Sequence, residues 1–265
     1  MRIKISPHIL MALNFEGIGV PIAFIGDGKK RKKLKQFLSV AEHKKDVKHP
    51  YLEYTLQGEE QFLPIPDPDK ERSIIYITGQ SGSGKSYWVA EWCKRYQQMF
   101  KGNEIYLLSS LTEDSSIDKI KGLNRIKLEE FMEDDWKVED FKNACLILDD
   151  TDAITDKNIK KKIDVLLNSV LQTGRHFNCS CLFTSHLATM GKETKMILAE
   201  CHSVVLFPKT VGNRSLKYIL ESYFGLDNKE IKKLKNLDGR WVQINRTYPK
   251  SILSEKYACL PSLID

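Results

Sequence analysis

The 265 residues carry 41 Lys and Arg against 35 Asp and Glu, a net charge of +6, with 42% hydrophobic and 29% charged residues. That apolar content excludes a disordered tail and suffices for one sizeable core with an appendage, while no apolar run approaches the ~18 residues of a membrane-spanning helix. The N-terminal MRIKISPHILMALNFEG lacks the small-residue cleavage site of a secretory leader, and the six cysteines are scattered without a CxxC pair or zinc-like spacing, so a reducing compartment is expected.

In chain order, residues 1–68 read as a small, basic α+β extension. Strand-like runs at 2–6, 20–25 and 51–56 flank a helical candidate at 30–42. The first 50 residues hold 11 Lys and Arg against 4 Asp and Glu, enough to account for the whole basic excess. Within them Lys30, Arg31, Lys32 and Lys33 form a cluster suited to the phosphates of a nucleic acid, or alternatively a targeting-like run or flexible turn. Pro64, Pro66 and Pro68 then exclude helix and mark a boundary.

Residues 69–265 alternate short apolar runs (73–78, 104–108, 144–148, 180–184, 203–207) with amphipathic segments (87–100, 157–171, 215–223, 228–237), followed by strand-like runs at 240–245 and 252–257. The alternation predicts an α/β core with a mainly parallel sheet covered by helices on both faces. Trp88, Trp92 and Tyr96 recur at helical spacing and read as core rather than as a base-stacking stripe, and Trp241 reads as a sheet residue.

Gly79, Gln80, Ser81, Gly82, Ser83, Gly84, Lys85 and Ser86 match G-x-x-x-x-G-K-[ST] between a strand and a helix. Glycines let successive backbone N–H groups turn inward on phosphate oxygens, and the helix start adds its positive end. These eight residues are the expected ATP-binding set, with Lys85 reaching the β- and γ-phosphates and Ser86 giving a hydroxyl to Mg²⁺. The apolar run 144–148 leads directly into Asp149 and Asp150. Asp149 is placed to hold the metal through its water shell, and Asp150 to orient and deprotonate the attacking water; the bland alternative is a solvated acidic loop tip. A guanine-reading N/T-K-x-D is matched only poorly by Asn228-Lys229-Glu230, which argues against a GTPase, and no arginine-rich kinase lid is apparent. Lys160, Lys161 and Lys162, with Lys157, form a second candidate DNA contact or else a solvated helix face. Neither basic cluster has interleaved aromatics, which favours a duplex over a single strand.

Taken together, GQSGSGKS, LILDD, TGRHFNCS followed by TSH, and the run Gly239-Arg240-Trp241-Val242 resemble the packaging ATPases of poxviruses and other nucleocytoplasmic large DNA viruses, a branch of the FtsK/HerA translocase superfamily. The resemblance covers roughly residues 60–260. It implies a RecA-like (ASCE) P-loop NTPase in which the strand ending at Thr184 lies between the phosphate-loop strand and the Asp149 strand. It also implies a Mg²⁺-dependent, DNA-stimulated ATPase that moves double-stranded DNA into a capsid. Such an enzyme would work as a homo-oligomeric ring, with capsid or portal proteins as further partners, in the cytoplasm of an infected cell or in the virion. His186 matches the position of a phosphate-sensing glutamine; an imidazole can donate the same hydrogen bond, but its charge varies near neutral pH, and a local hydrogen bond is the alternative. Arg175 matches an arginine finger acting on a neighbouring subunit, against the alternative of a cation closing a helix end. Asp150 stands where many relatives carry glutamate. Two other classes remain open: a nucleotide-switched interaction protein without translocation, and a polynucleotide or nucleotide kinase.

Overall fold

The computed structural model describes residues 11–27, 36–70, 72–189 and 192–261. The elements run β1 (Ala12–Asn14), β2 (Val20–Asp27), β3 (Gln36–Ala41), β4 (Glu53–Thr55), β5 (Glu60–Pro64), β6 (Ile74–Thr78), α1 (Lys85–Met99), β7 (Glu104–Ser109), β8 (Leu123–Ile126) and α2 (Leu128–Glu133). They continue β9 (Ala144–Asp149), α3 (Lys157–Thr173), β10 (Ser180–Ser185), α4 (Lys192–Glu200), β11 (Ser203–Leu206), α5 (Asn213–Phe224), α6 (Asn228–Lys235), β12 (Val242–Asn245), β13 (Ser251–Ser254) and β14 (Tyr257–Cys259).

Ten strands form the main sheet in the order β4-β14-β13-β12-β11-β6-β10-β9-β7-β8. From β11 to β8 every pairing is parallel, and the other half of the sheet is antiparallel. Both faces are covered. On β6, Ile74 and Tyr76 pack with residues of α2 to α6, whereas Ile75 and Ile77 pack with Trp88, Val89 and Trp92 of α1 and with Leu13, Ile22 and Phe62 of the N-terminal region. Burial on two faces explains why the strands read as unbroken apolar runs rather than alternating ones. The architecture is the RecA-like α/β fold expected from the sequence, with β10 seated between β6 and β9.

The second sheet is four-stranded and antiparallel, in the order β1-β3-β2-β5. Pro64 ends β5, an edge strand, where a missing N–H costs no ladder bond. The expected helix at 30–42 is corrected in its second half, which is β3. Leu38 and Val40 are buried on this strand, and a short apolar run does not by itself distinguish helix from strand. The run 2–6 and the cluster Lys30, Arg31, Lys32 and Lys33 lie outside the described residues. The run 252–257 is two strands broken at Glu255 and Lys256. The sequence reading passed over β1, β5, β8, α2 and α4.

The N-terminal region is tied to the end of the main sheet. Strand β4 pairs with β14, Phe62 N–H donates to the Glu255 carbonyl at 2.8 Å, and Leu56 N–H donates to the Lys256 carbonyl at 2.8 Å. Lys256 Nζ donates in turn to the Gly58 carbonyl at 2.6 Å and to that of Glu60. The cysteines are free, and burial pushes the thiols of Cys179 and Cys201 up to about 12, which keeps them from acting as nucleophiles. No helix among the described residues is long and apolar enough to cross a membrane.

Candidate active site

The loop of residues 79–84 joins β6 to α1. Gly79 is hemmed in: a Cβ there would lie 2.7 Å from Ser83 Oγ and 2.9 Å from Phe207 Cδ2. Gly82 and Gly84 have φ of +73° and +109°, a region that side chains disfavour, and Gly84 stands at the N-terminal cap of α1. No side chain caps this end of the helix, so its first N–H groups remain available for an anion, consistent with a phosphate cradle. Ser86 sits in the first turn.

Parallel pairing with β6 and β9 brings the C-terminal end of β10 beside the loop, where Gly79 N–H donates to the Ser185 carbonyl at 3.2 Å. Lys85 Nζ, buried, donates to the Gly79 carbonyl at 3.0 Å, meets His186 Nδ1 at 3.1 Å, and lies 3.6 Å from Asp150 Oδ1. His186 Nε2 is 2.9 Å from Asp150 Oδ2. An ammonium only donates and a carboxylate only accepts, so this bridge suits the neutral imidazole with its proton on Nε2. Lys85, Asp150 and His186 thus form one closed polar cluster.

Thr184 links the two acids. Its hydroxyl lies 2.8 Å from Asp149 Oδ1 and 3.1 Å from Asp150 Oδ1, and it accepts Asp150 N–H at 2.9 Å. That backbone bond holds Asp150 in a left-handed conformation, φ 46°. Ser109 Oγ donates to the other oxygen of Asp149 at 3.0 Å. The sequence places Thr184 at the end of a strand but assigns it no role, and Ser109 is given none either; in both cases the available signal is a hydroxyl ending an apolar strand. Ser185 Oγ is 3.0 Å from Asp152 Oδ2 and 2.8 Å from the Leu187 carbonyl, which shapes the turn carrying His186.

Asp149 is almost fully buried, and burial raises its pKa, helped by the neighbouring Asp150 charge and opposed by the hydroxyls of Thr184 and Ser109. Among the described residues Lys85 is the ammonium that faces this carboxylate pair, and it pairs with Asp150. The carboxylate of Asp149, at the end of β9, and the hydroxyl of Ser86, in the first turn of α1, are hard-oxygen donors. Ser86 and Asp149 therefore fit Mg²⁺, which keeps most of its waters.

Arg175 is not part of this cluster. It lies in the short turn between α3 and β10, at the opposite end of β10, where Asn178 N–H donates to its carbonyl at 3.2 Å. A six-residue strand separates the two ends by roughly 17–20 Å. Around Arg175 are Arg72, His176 and Glu200, and Arg72 donates to the carbonyls of Val170 and Leu171 at the end of α3. On α3, Lys157 and Lys161 are exposed, and Lys160 is half-buried. Lys162 donates to the Met132 carbonyl at 3.1 Å and lies 5.3 Å from the Phe131 ring centroid, closing the end of α2.

No family model matches the chain. The chain is 36% identical over 202 residues to the uncharacterised protein V3 of Sputnik virophage, an alignment covering 76% of this chain and 81% of that protein. Among solved structures it is similar to B204, the DNA-packaging ATPase of Sulfolobus turreted icosahedral virus. That match has 16% identity, covers 70% of this chain and 98% of B204, and has a TM-score of 0.49. It is also similar to the cytoplasmic domain of the type VII secretion ATPase EccC of Thermomonospora curvata, at 12% identity over 78% of this chain and 28% of that one, with a TM-score of 0.48.

Proposed function

The chain belongs to the family of Sputnik virophage protein V3, and from that premise we propose that it is an ATP-hydrolysing motor that moves double-stranded DNA into a viral capsid. The observation that carries the hydrolytic part is the closed cluster of Lys85, Asp150 and His186 beside the loop of residues 79–86. Loop N–H groups and Lys85 would hold the triphosphate, and Ser86 and Asp149 would hold Mg²⁺. When bound, the metal supplies charge neutralisation between the phosphates. Asp150, fixed by Thr184, is the base that orients and deprotonates the attacking water. Entry of the γ-phosphate gives Lys85 a stronger partner than His186, which frees the imidazole to report phosphate occupancy to the turn after β10.

Arg175, at the far edge from its own loop, is proposed to complete the site of an adjacent copy in a ring. An arginine there would add a fixed charge worth ~10³–10⁵ in rate. The packaging role is supported by the order and spacing of the four sequence motifs and by a relative encoded by a virophage. Lys160 and Lys161, and Lys30 to Lys33 with Arg31 among them, are the proposed duplex contacts; a virion or the cytoplasm of an infected cell is the proposed location. Capsid or portal proteins are the proposed further partners.

The test is ATP turnover with and without duplex DNA across ionic strength, with Lys85→Ala as control. DNA stimulation that weakens as salt rises is expected, together with loss of turnover in Lys85→Ala and Asp150→Asn. Turnover unaffected by duplex DNA, with no salt-dependent binding, removes the translocase reading. Tight ATP binding without turnover supports a nucleotide-controlled switch, and phosphate transfer to an acceptor other than water a kinase.

A further inference from the structure

The Gly239-Arg240-Trp241 segment has no part in the phosphate chemistry, yet it is built against the same loop. Arg240 lies with its guanidinium carbon 5.6 Å from the ring centroid of Tyr87, and its Nη1 would be 3.8 Å from a Cβ on Gly84. Glu255 fixes its position. The buried Glu255 carboxylate accepts Arg240 N–H through Oε2 at 2.8 Å and Arg240 Nε through Oε1 at 3.3 Å. Gly239 has φ +114°, and a Cβ there would lie 2.9 Å from Glu255 Oε2, so glycine is what lets the carboxylate close on the backbone. Trp241 is buried and meets Trp88 edge-to-face, with ring centroids 6.3 Å apart. The segment is thus a bracket that clamps Arg240 to the start of α1. What it displays is a cationic surface backed by an aromatic ring, with the Arg240 side chain 60% exposed and Tyr87 43% exposed.

Strand order fixes which part of a nucleotide would reach that surface. The terminal phosphate belongs beside Lys85, Asp150 and His186, on the β10 and β9 side of the loop. Arg240 precedes β12, which lies beyond β11 on the other side of β6. A triphosphate running along the loop therefore delivers its nucleoside end toward Arg240. We propose that Arg240, backed by Tyr87, is the shelf on which the purine base of the bound nucleoside triphosphate stacks. This rests on residues 79–86 being the triphosphate site. A guanidinium plane held over an aromatic ring offers a second flat face to a base, by stacking and cation–π attraction.

The experiment compares binding of ATP and of inorganic tripolyphosphate, each with Mg²⁺, to the full chain by calorimetry. Wild-type protein is expected to bind ATP more tightly than tripolyphosphate. Arg240→Ala and Tyr87→Ala should each weaken ATP roughly tenfold and leave tripolyphosphate unchanged, because only the base is lost from the contact. Arg240→Lys, which keeps the charge but not the plane, should resemble Arg240→Ala, whereas Tyr87→Phe should bind like wild type. Equal losses for both ligands in Arg240→Ala would make Arg240 a phosphate contact and overturn the shelf, as would full ATP affinity in Arg240→Lys and Tyr87→Ala. Wild-type protein that binds both ligands equally overturns the shelf alone. Wild-type protein that binds neither overturns the triphosphate site beneath it.

Discussion

A single hydroxyl at Thr184 has one proton for two carboxylates and one lone-pair partner in the Asp150 N–H. Thr184→Val keeps the shape of the side chain but leaves Asp150 N–H unpaired in a buried turn. Turnover should fall on the order of a hundredfold with little change in ATP affinity, while Thr184→Ser should keep most of it; steady-state kinetics separates the two. His202 offers a different readout. Its Nδ1 accepts Ile74 N–H at 3.2 Å, and burial, joined by the charges of Lys70, Arg72 and Arg246, lowers its pKa to about 4. The unfolded chain binds the proton near pH 6.5, so the fold loses stability as pH falls from about 6.5 to about 4, by roughly 3 kcal/mol. His202→Asn, which keeps an acceptor near the same place, should flatten that slope in thermal unfolding measured across pH. At this scale Lys85, Asp149 and Asp150 were readable because their motifs have fixed spacing. Ser109 was not, because it meets Asp149 only after β7 and β9, well apart in sequence, are paired; nor was Glu255, which belongs to no motif and meets Arg240 only once β12 and β13 pair.

Among elements, α1 shows how pattern becomes packing. Trp88 and Trp92 share a face that fills the space between the main sheet and the four-stranded one, both almost fully buried. Trp92→Ala should cost about 3–5 kcal/mol in urea unfolding, since neither sheet can collapse into the cavity. Parallel strands with two covered faces announced themselves as apolar runs, and the helices between them by period. The four-stranded sheet was harder to see. Strand β3 follows a lysine-rich stretch and lacks strict alternation, and β5 ends in the prolines that looked like a linker. A proline at a strand edge and a proline in a linker look alike until the neighbouring strand is known.

For the whole molecule, the separation of Arg175 from its own loop by the length of β10 has a direct test. Mixing inactive Lys85→Ala with inactive Arg175→Ala protein should restore up to about a quarter of wild-type turnover, the share of randomly mixed junctions that pair an intact loop with an intact arginine. No recovery would leave Arg175 a cation closing the end of α3. What one chain's sequence does not carry is which surfaces of two copies meet in a ring, and so which loop the arginine reaches.

The pairing of β4 with β14 joins segments about 200 residues apart, as the Tyr257 hydroxyl bonded to Glu53 at 2.6 Å shows. The consequence is one of timing during synthesis. The turn that carries Glu255, and with it the clamp on Arg240, leaves the ribosome long after the phosphate loop of residues 79–86. Until then β4 has no neighbour, the small sheet lacks the carbonyl that receives Phe62 N–H, and the loop face is unfinished. A nascent chain stalled before residue 255 would present an open strand edge to its surroundings, and the nucleotide face is completed only once β13 and β14 have emerged and paired.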